Sequence, residues 1–303
     1  MAEQQHPSAF VIGDPIAQSK SPLIHGYWLK AQNLPGSYEA VHITPEALPE
    51  FLRQVLAAQG SETGYIGGNV TVPHKETVYR WLAQQPESAR LTKMAARLKA
   101  VNTLYWLDGQ LVGDNTDGYG FAANLDERAT GWDSNMSQTI VVGAGGASRA
   151  VVAALDERRQ ETDQIHIVNR TASRAESLVA DLGLSNVSIH GFGMLTDLAA
   201  SATFIVNTSS LGMSNSGTNS DDGPSALEAA ALALQPNAVA TDIVYTPLMT
   251  PFLQAAKTTS AQTADGLGML LHQAVPGFEA WFGVRPQVTS QVRQLVLSAM
   301  ELG

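Results

Sequence analysis

The chain has 303 residues, enough for two hydrophobic cores rather than one. With 44% hydrophobic and 15% charged residues it has the composition of a globular protein, and its formal charge of −10 argues against nucleic acid or an anionic membrane as a partner. It contains no cysteine, which excludes disulfides, thiolate catalysis and Cys-based metal sites. The stretch from Met1 to Pro7 carries neither the basic nor the apolar region of a secretion signal, and no apolar run approaches membrane-spanning length, so the expectation is a soluble, cytoplasmic protein.

In chain order, Ala9-Phe10-Val11-Ile12 reads as a buried strand that ends at the turn Gly13-Asp14-Pro15. Residues 22 to 33 suit a helix with Pro22 in its first turn, Tyr38 to Ile43 alternate like a strand, and Thr44-Pro45-Glu46 predicts a helix start. A strand from Tyr65 to Thr71, a helical stretch, and a hairpin turning at Asp108-Gly109 follow. Strands alternating with helices imply a mostly parallel sheet. A second unit begins near Asp117. Its strand signals are Thr139–Val142, Gln164–Val168, Val187–His190, Thr203–Val206 and Ala238–Ile243, separated by helical stretches, in the manner of a doubly wound nucleotide-binding sheet. The polar segment 214–224 predicts a mobile loop, and the last residues read as helices.

Gly143-Ala144-Gly145-Gly146-Ala147 follows an apolar strand and opens a helix. Such a turn lets backbone N–H groups and the helix N-terminus meet a pyrophosphate; Ser148 stands at its third place, where Gly or Ala is usual. After the next strand an NAD-binding protein carries an acid for the ribose 2′-hydroxyl. This chain has Asn169-Arg170-Thr171-Ala172-Ser173-Arg174, and two arginines four residues apart can bracket a 2′-phosphate, which predicts NADP(H).

Ser19-Lys20-Ser21-Pro22, Asn69-Val70-Thr71-Val72-Pro73-His74-Lys75, Ala100-Val101-Asn102-Thr103, Gly113-Asp114-Asn115-Thr116-Asp117 and Ala264-Asp265-Gly266-Leu267-Gly268-Met269 with Gln273 follow one another along the chain, as does Asp242-Ile243-Val244-Tyr245. Together they resemble the shikimate dehydrogenase family. The resemblance implies a two-domain α/β fold: a substrate-binding domain with a mostly parallel sheet from residues 1–116 plus 267–303, and a Rossmann-like NADP-binding domain from 117–266, the C-terminal helices returning to the first domain. It implies reversible reduction of 3-dehydroshikimate to shikimate, with Lys75 and Asp117 as the proton-transfer pair. Ser19, Ser21, Asn69, Thr71, Asn102, Tyr245 and Gln273 would bind substrate, and Ile243, Gly266 and Met269 would lie near the nicotinamide. A small ring bearing one carboxylate and three hydroxyls calls for such short polar groups at turns and strand ends, although Ser21 before Pro22 also suits a helix start and Asn102 a turn. His74, next to Lys75 on an extended segment, reads as a packing or solvent-facing residue.

The histidines show no metal-ligand spacing, so no metal is expected. Gln18 stands where the family often has His, and the loop after Met213 is longer than usual. Two enzyme rivals are an NAD-using quinate/shikimate dehydrogenase, which the arginines and Ser21 disfavour, and a methylenetetrahydrofolate dehydrogenase, which leaves the two serines and Gln273 unexplained. A non-catalytic shikimate- or NADP-sensing relative would not need both Lys75 and Asp117. A monomer and a homodimer are both compatible with the sequence.

Overall fold

A computed structural model of the chain describes residues 6–59, 64–213 and 223–301. The expected mobile loop at 214–224 lies outside these residues except for Gly223 and Pro224, which open a helix. The chain divides into two compact units, one of residues 1–116 and 273–303, the other of residues 117–272.

The first unit contains β1 (Ser8–Gly13), α1 (Ser21–Ala31), β2 (Ser37–His42), α2 (Leu48–Ala57), β3 (Tyr65–Val70), α3 (Lys75–Leu82), β4 (Ala89–Leu91), α4 (Lys93–Leu98), β5 (Thr103–Leu107) and β6 (Gln110–Asp114). Its sheet has the order β2-β1-β3-β5-β6-β4. The pairs β1–β2, β1–β3 and β4–β6 are parallel, while β3–β5 and β5–β6 are antiparallel. The antiparallel corner comes from the hairpin, whose turn residues Asp108 and Gly109 both adopt positive φ, 51° and 79°, as a two-residue hairpin turn requires. β1 is apolar along its length because both of its faces are covered. Phe10 and Ile12 enter one cluster with Leu48, Leu52, Val78 and Leu82, and Ala9 and Val11 enter another with Tyr38 and Trp281.

The second unit contains α5 (Asp117–Arg128), β7 (Gln138–Val142), α6 (Gly146–Arg158), β8 (Gln164–Val168), α7 (Ala172–Leu182), β9 (Val187–His190), α8 (Leu195–Ala199), β10 (Phe204–Asn207), α9 (Gly223–Ala233), β11 (Val239–Asp242), α10 (Pro251–Thr258), β12 (Gln262–Ala264) and α11 (Leu267–His272). All its strand pairs are parallel, in the order β12-β11-β10-β7-β8-β9. From the other edge this is the 3-2-1-4-5-6 order of a doubly wound dinucleotide-binding sheet, with β7 and β10 at the switch point where ligands bind. Helices α12 (Ala274–Phe282) and α13 (Ser290–Glu301) belong to the first unit again.

The chain's return falls at Gln273, six residues later than expected. The reason is local: Asn124 of α5 donates to the Asp265 carbonyl at 2.8 Å, and His272 pairs with Glu127 at 2.9 Å, so α11 stays on α5.

Candidate active and cofactor-binding sites

In the first unit Asn69, Asn102 and the Gln273 backbone, three of the expected substrate positions, lie in one hydrogen-bond network at the strand ends. Tyr38 donates to Asn69 Oδ1 at 2.5 Å. Asn69 Nδ2 donates to the Asn102 carbonyl at 3.1 Å and to Thr103 Oγ1 at 3.2 Å. Thr103 donates to Asn102 Oδ1 at 2.8 Å, Asn102 Nδ2 reaches Thr116 Oγ1 at 3.2 Å, and Thr116 donates to the Gln273 carbonyl at 2.8 Å. Asn69, Asn102, Thr103 and Thr116 are all buried, so each polar atom of this chain needs the partners it has, and Ser21 is buried at the start of α1. The Ser21 amide donates to Ser19 Oγ at 3.3 Å, which links the two serines.

Backbone bonds place the remaining residues. The Thr71 amide donates to the Ile12 carbonyl at 2.9 Å, and the Val101 amide donates to the Lys75 carbonyl at 2.9 Å. Lys75 is the first residue of α3 and half-buried. His74 is buried, with Nε2 2.6 Å from the Ile43 carbonyl, and so packs rather than facing solvent. Beneath the network, His25 stacks on Tyr38 with ring centroids 4.1 Å apart, and both its ring nitrogens are buried without a hydrogen bond. Burial lowers its pKa to about 3, opposed only in part by the nearby Asn69 amide.

Asp117, at the first residue of α5, and Tyr245 belong to the second unit. Burial pushes the Tyr245 phenol up. Gly143 has φ +111°, and a Cβ there would stand 2.8 Å from Thr208 Oγ1, so no other residue fits this turn. Beside Gly145 and Gly146 a Cβ would meet nothing within 4 Å, which leaves the N-terminus of α6 open to a large anionic group. Ala144 and Ala147, on either side of these glycines, are half-buried. At the end of β8, Asn169 Nδ2 donates to the Thr171 carbonyl at 2.8 Å. Arg170 and Arg174 are exposed, and neither makes an ion pair with a carboxylate among the described residues.

Gly266 lies directly against the Ile243 carbonyl, where any Cβ would collide, so these two expected nicotinamide neighbours are adjacent. Met269 follows in α11. Under them, Asp242 is fully buried and accepts from Thr250 Oγ1 at 2.7 Å, the Val244 amide at 2.9 Å and Asn207 Nδ2 at 3.0 Å. Burial outweighs these bonds and pushes its carboxyl up to about 6. Among the described residues no group of three or more His, Asp or Glu could hold a metal ion.

Tyr38, Thr103, Thr116, Asn124 and Asp242 are residues of these sites that sequence reasoning misses. Each supports a neighbour rather than facing outward, and no common pattern in the sequence marks them.

A 3-2-1-4-5-6 parallel sheet with a glycine turn at its switch point defines the class: a Rossmann-type dinucleotide-binding protein, here with a second α/β unit. Three family models match: the shikimate dehydrogenase substrate-binding domain over residues 11–104, shikimate/quinate 5-dehydrogenase over 124–215, and the shikimate 5′-dehydrogenase C-terminal domain over 266–297. The NADP(+) shikimate dehydrogenase of Rhizobium meliloti strain 1021 is 48% identical, over 97% of this chain and 95% of that one. The shikimate 5-dehydrogenase of Thermus thermophilus, solved with NADP(H) and shikimate, is 30% identical with a TM-score of 0.74, covering 97% of this chain and 99% of that one. A quinate dehydrogenase from Corynebacterium glutamicum solved with NAD is 27% identical with a TM-score of 0.79, over 97% and 99% of the two chains. The chain belongs to the shikimate dehydrogenase family.

Proposed function

We propose that the chain is an NADPH-dependent shikimate dehydrogenase, an oxidoreductase that interconverts 3-dehydroshikimate and shikimate. The observation that carries this reading is the single buried network joining Tyr38, Asn69, Asn102 and the Gln273 backbone, a dense set of polar groups suited to a polyhydroxylated ring.

NADPH, when bound, supplies the hydride. Gly143, Ala144, Gly145, Gly146 and Ala147 would hold its pyrophosphate; Asn169, Arg170, Thr171 and Arg174 would hold the adenosine 2′-phosphate. Ile243, Gly266 and Met269 would border the nicotinamide. Ser19 and Ser21 bind the substrate carboxylate through hydroxyls, which suits a protein whose net charge of −10 does not attract anions. Asn69, Thr71, Asn102, Tyr245 and Gln273 orient the ring. Lys75 as ammonium gives a proton to the carbonyl oxygen as charge develops on it, and in the reverse direction neutral Lys75 takes the hydroxyl proton. Asp117 orients Lys75 and accepts from the adjacent hydroxyl. In this reading residues 1–116 with the C-terminal helices form the substrate domain and the middle of the chain the cofactor domain; the enzyme is cytoplasmic, and a monomer or homodimer.

The test is NADP+ reduction followed optically with shikimate and with quinate, each repeated with NAD+. Shikimate with NADP+ should be the fastest pair. Faster turnover of quinate with NAD+ would replace this reading by the quinate dehydrogenase alternative, and no turnover with any pair would leave a non-catalytic binding protein.

A further inference from the structure

Ser148, the unusual third residue of the glycine turn, is fully buried and part of a chain of hydroxyls whose proton order can be deduced. Thr208 Oγ1 lies 2.8 Å from the Val142 carbonyl, which can only accept, so Thr208 donates its one proton there. Ser148 Oγ is 2.5 Å from Thr208 Oγ1 and must therefore be the donor of that bond. Having spent its proton, Ser148 Oγ accepts from the Gly145 amide at 3.0 Å. The order is Gly145 N–H to Ser148, Ser148 to Thr208, and Thr208 to Val142.

This order has two consequences for an anion at the turn. Ser148 has no proton left for a phosphate, so its role is not that of a ligand. The Gly145 amide is also spent, on the Ser148 hydroxyl in the first turn of α6. Thr208 follows β10, which pairs with β7, so the chain ties the turn after β7 to the neighbouring strand. Gly143 completes the fit, since any Cβ there would stand 2.8 Å from Thr208 Oγ1 and 3.3 Å from Ser148 Oγ.

We infer that Ser148 and Thr208 are a positioning pair that locks the turn 143–147 in its dinucleotide-binding shape before the cofactor arrives. The inference rests on the proposed binding of NADPH at this turn. Preorganisation of this kind raises affinity by removing an ordering cost, and leaves the chemical step untouched.

Thr208→Val and Ser148→Ala each break the chain without adding bulk. Each should weaken NADPH binding about tenfold, the scale of leaving one buried polar group unsatisfied. The kcat at saturating NADPH and the shikimate Kd should change little. Thr208→Ser keeps the hydroxyl and should restore NADPH affinity. Because the two residues act through one chain, the double variant should bind NADPH no worse than the weaker single variant. NADPH Kd by fluorescence titration and a thermal melt for every variant supply the readouts. Variants that melt and bind shikimate normally and keep the wild-type NADPH Kd would overturn the inference, as would fully additive losses in the double variant. Wild-type protein that binds shikimate but no NADPH would overturn the proposed function itself, an outcome distinguishable from both.

Discussion

In the proposed reaction the Lys75 ammonium meets charge that exists chiefly in the transition state, so truncating it should lower kcat far more than it weakens shikimate binding. Proton-transfer groups contribute about 10²–10⁴-fold, and Lys75→Ala should lose activity on that scale while still binding NADPH. Near-normal kcat with a raised KM would instead make Lys75 a binding residue. Arg170 and Arg174, exposed and unpaired with any described carboxylate, are proposed to grip a 2′-phosphate remote from the reacting carbon. Replacing both by Gln should raise the NADPH KM by roughly tenfold to a hundredfold, leave kcat at saturation close to wild type, and erase the preference over NADH. A double variant that still prefers NADPH would mean the phosphate is read elsewhere. At this scale the residues in the glycine- and Asn-rich turns are legible, because a turn needs a reason for each side chain it carries. Tyr38 is not legible: it sits in an alternating strand like any aromatic core residue, and only the folded chain shows its hydroxyl on Asn69.

Among the elements, β8 and β9 follow the expected spans closely, since short strand-forming runs bounded by polar turns leave the boundary little freedom. The short β4 and β12, three residues each, escape a reading by period because one repeat of an alternation is no pattern. The expected helix start at Thr44 moves to Leu48, after a turn in which the Ala47 and Leu48 amides both bond the Thr44 carbonyl. The late boundary of the first unit has the same kind of origin, a side-chain contact invisible in the sequence. Gly268 in α11 leaves room for the Asn124 amide of α5, into which a Cβ would project. Gly268→Ala should therefore cost about 1–3 kcal/mol of stability, as overpacking does, and Asn124→Ala should relieve part of that cost in the double variant. Thermal melts of the two single variants and the double test this; strictly additive losses would show that the two positions do not meet.

At the scale of the whole molecule, His25 in one unit and Asp242 in the other are buried groups with displaced titrations, and the two act in opposite directions. His25 in the first unit takes a proton near 6.5 when unfolded but near 3 when folded, so below pH 6.5 the unfolded state binds the extra proton. The stability tied to it is complete above pH 6.5 and lost as pH falls, by about 2 kcal/mol at pH 5. Asp242 in the second unit protonates near 6 when folded and near 3.8 when unfolded, so here the folded state binds the extra proton and stability rises as pH falls from 6 towards 3.8. Calorimetry from pH 7 to 5 should show the first unit's transition moving down relative to the second's. His25→Phe should flatten the first trend and Asp242→Asn the second; two transitions that fall in parallel would contradict both assignments. The division of the chain also sets an order of manufacture. A ribosome delivers residues 1–116 first, yet their core waits for the last segment, because Phe278 stacks over His25 and Trp281 Nε1 donates to the Leu104 carbonyl at 2.7 Å. Residues 117–272 are contiguous and need no such delay, so the unit encoded in the middle should be the first to become protease-resistant during translation, and the amino-terminal one should stay cleavable until synthesis is nearly over.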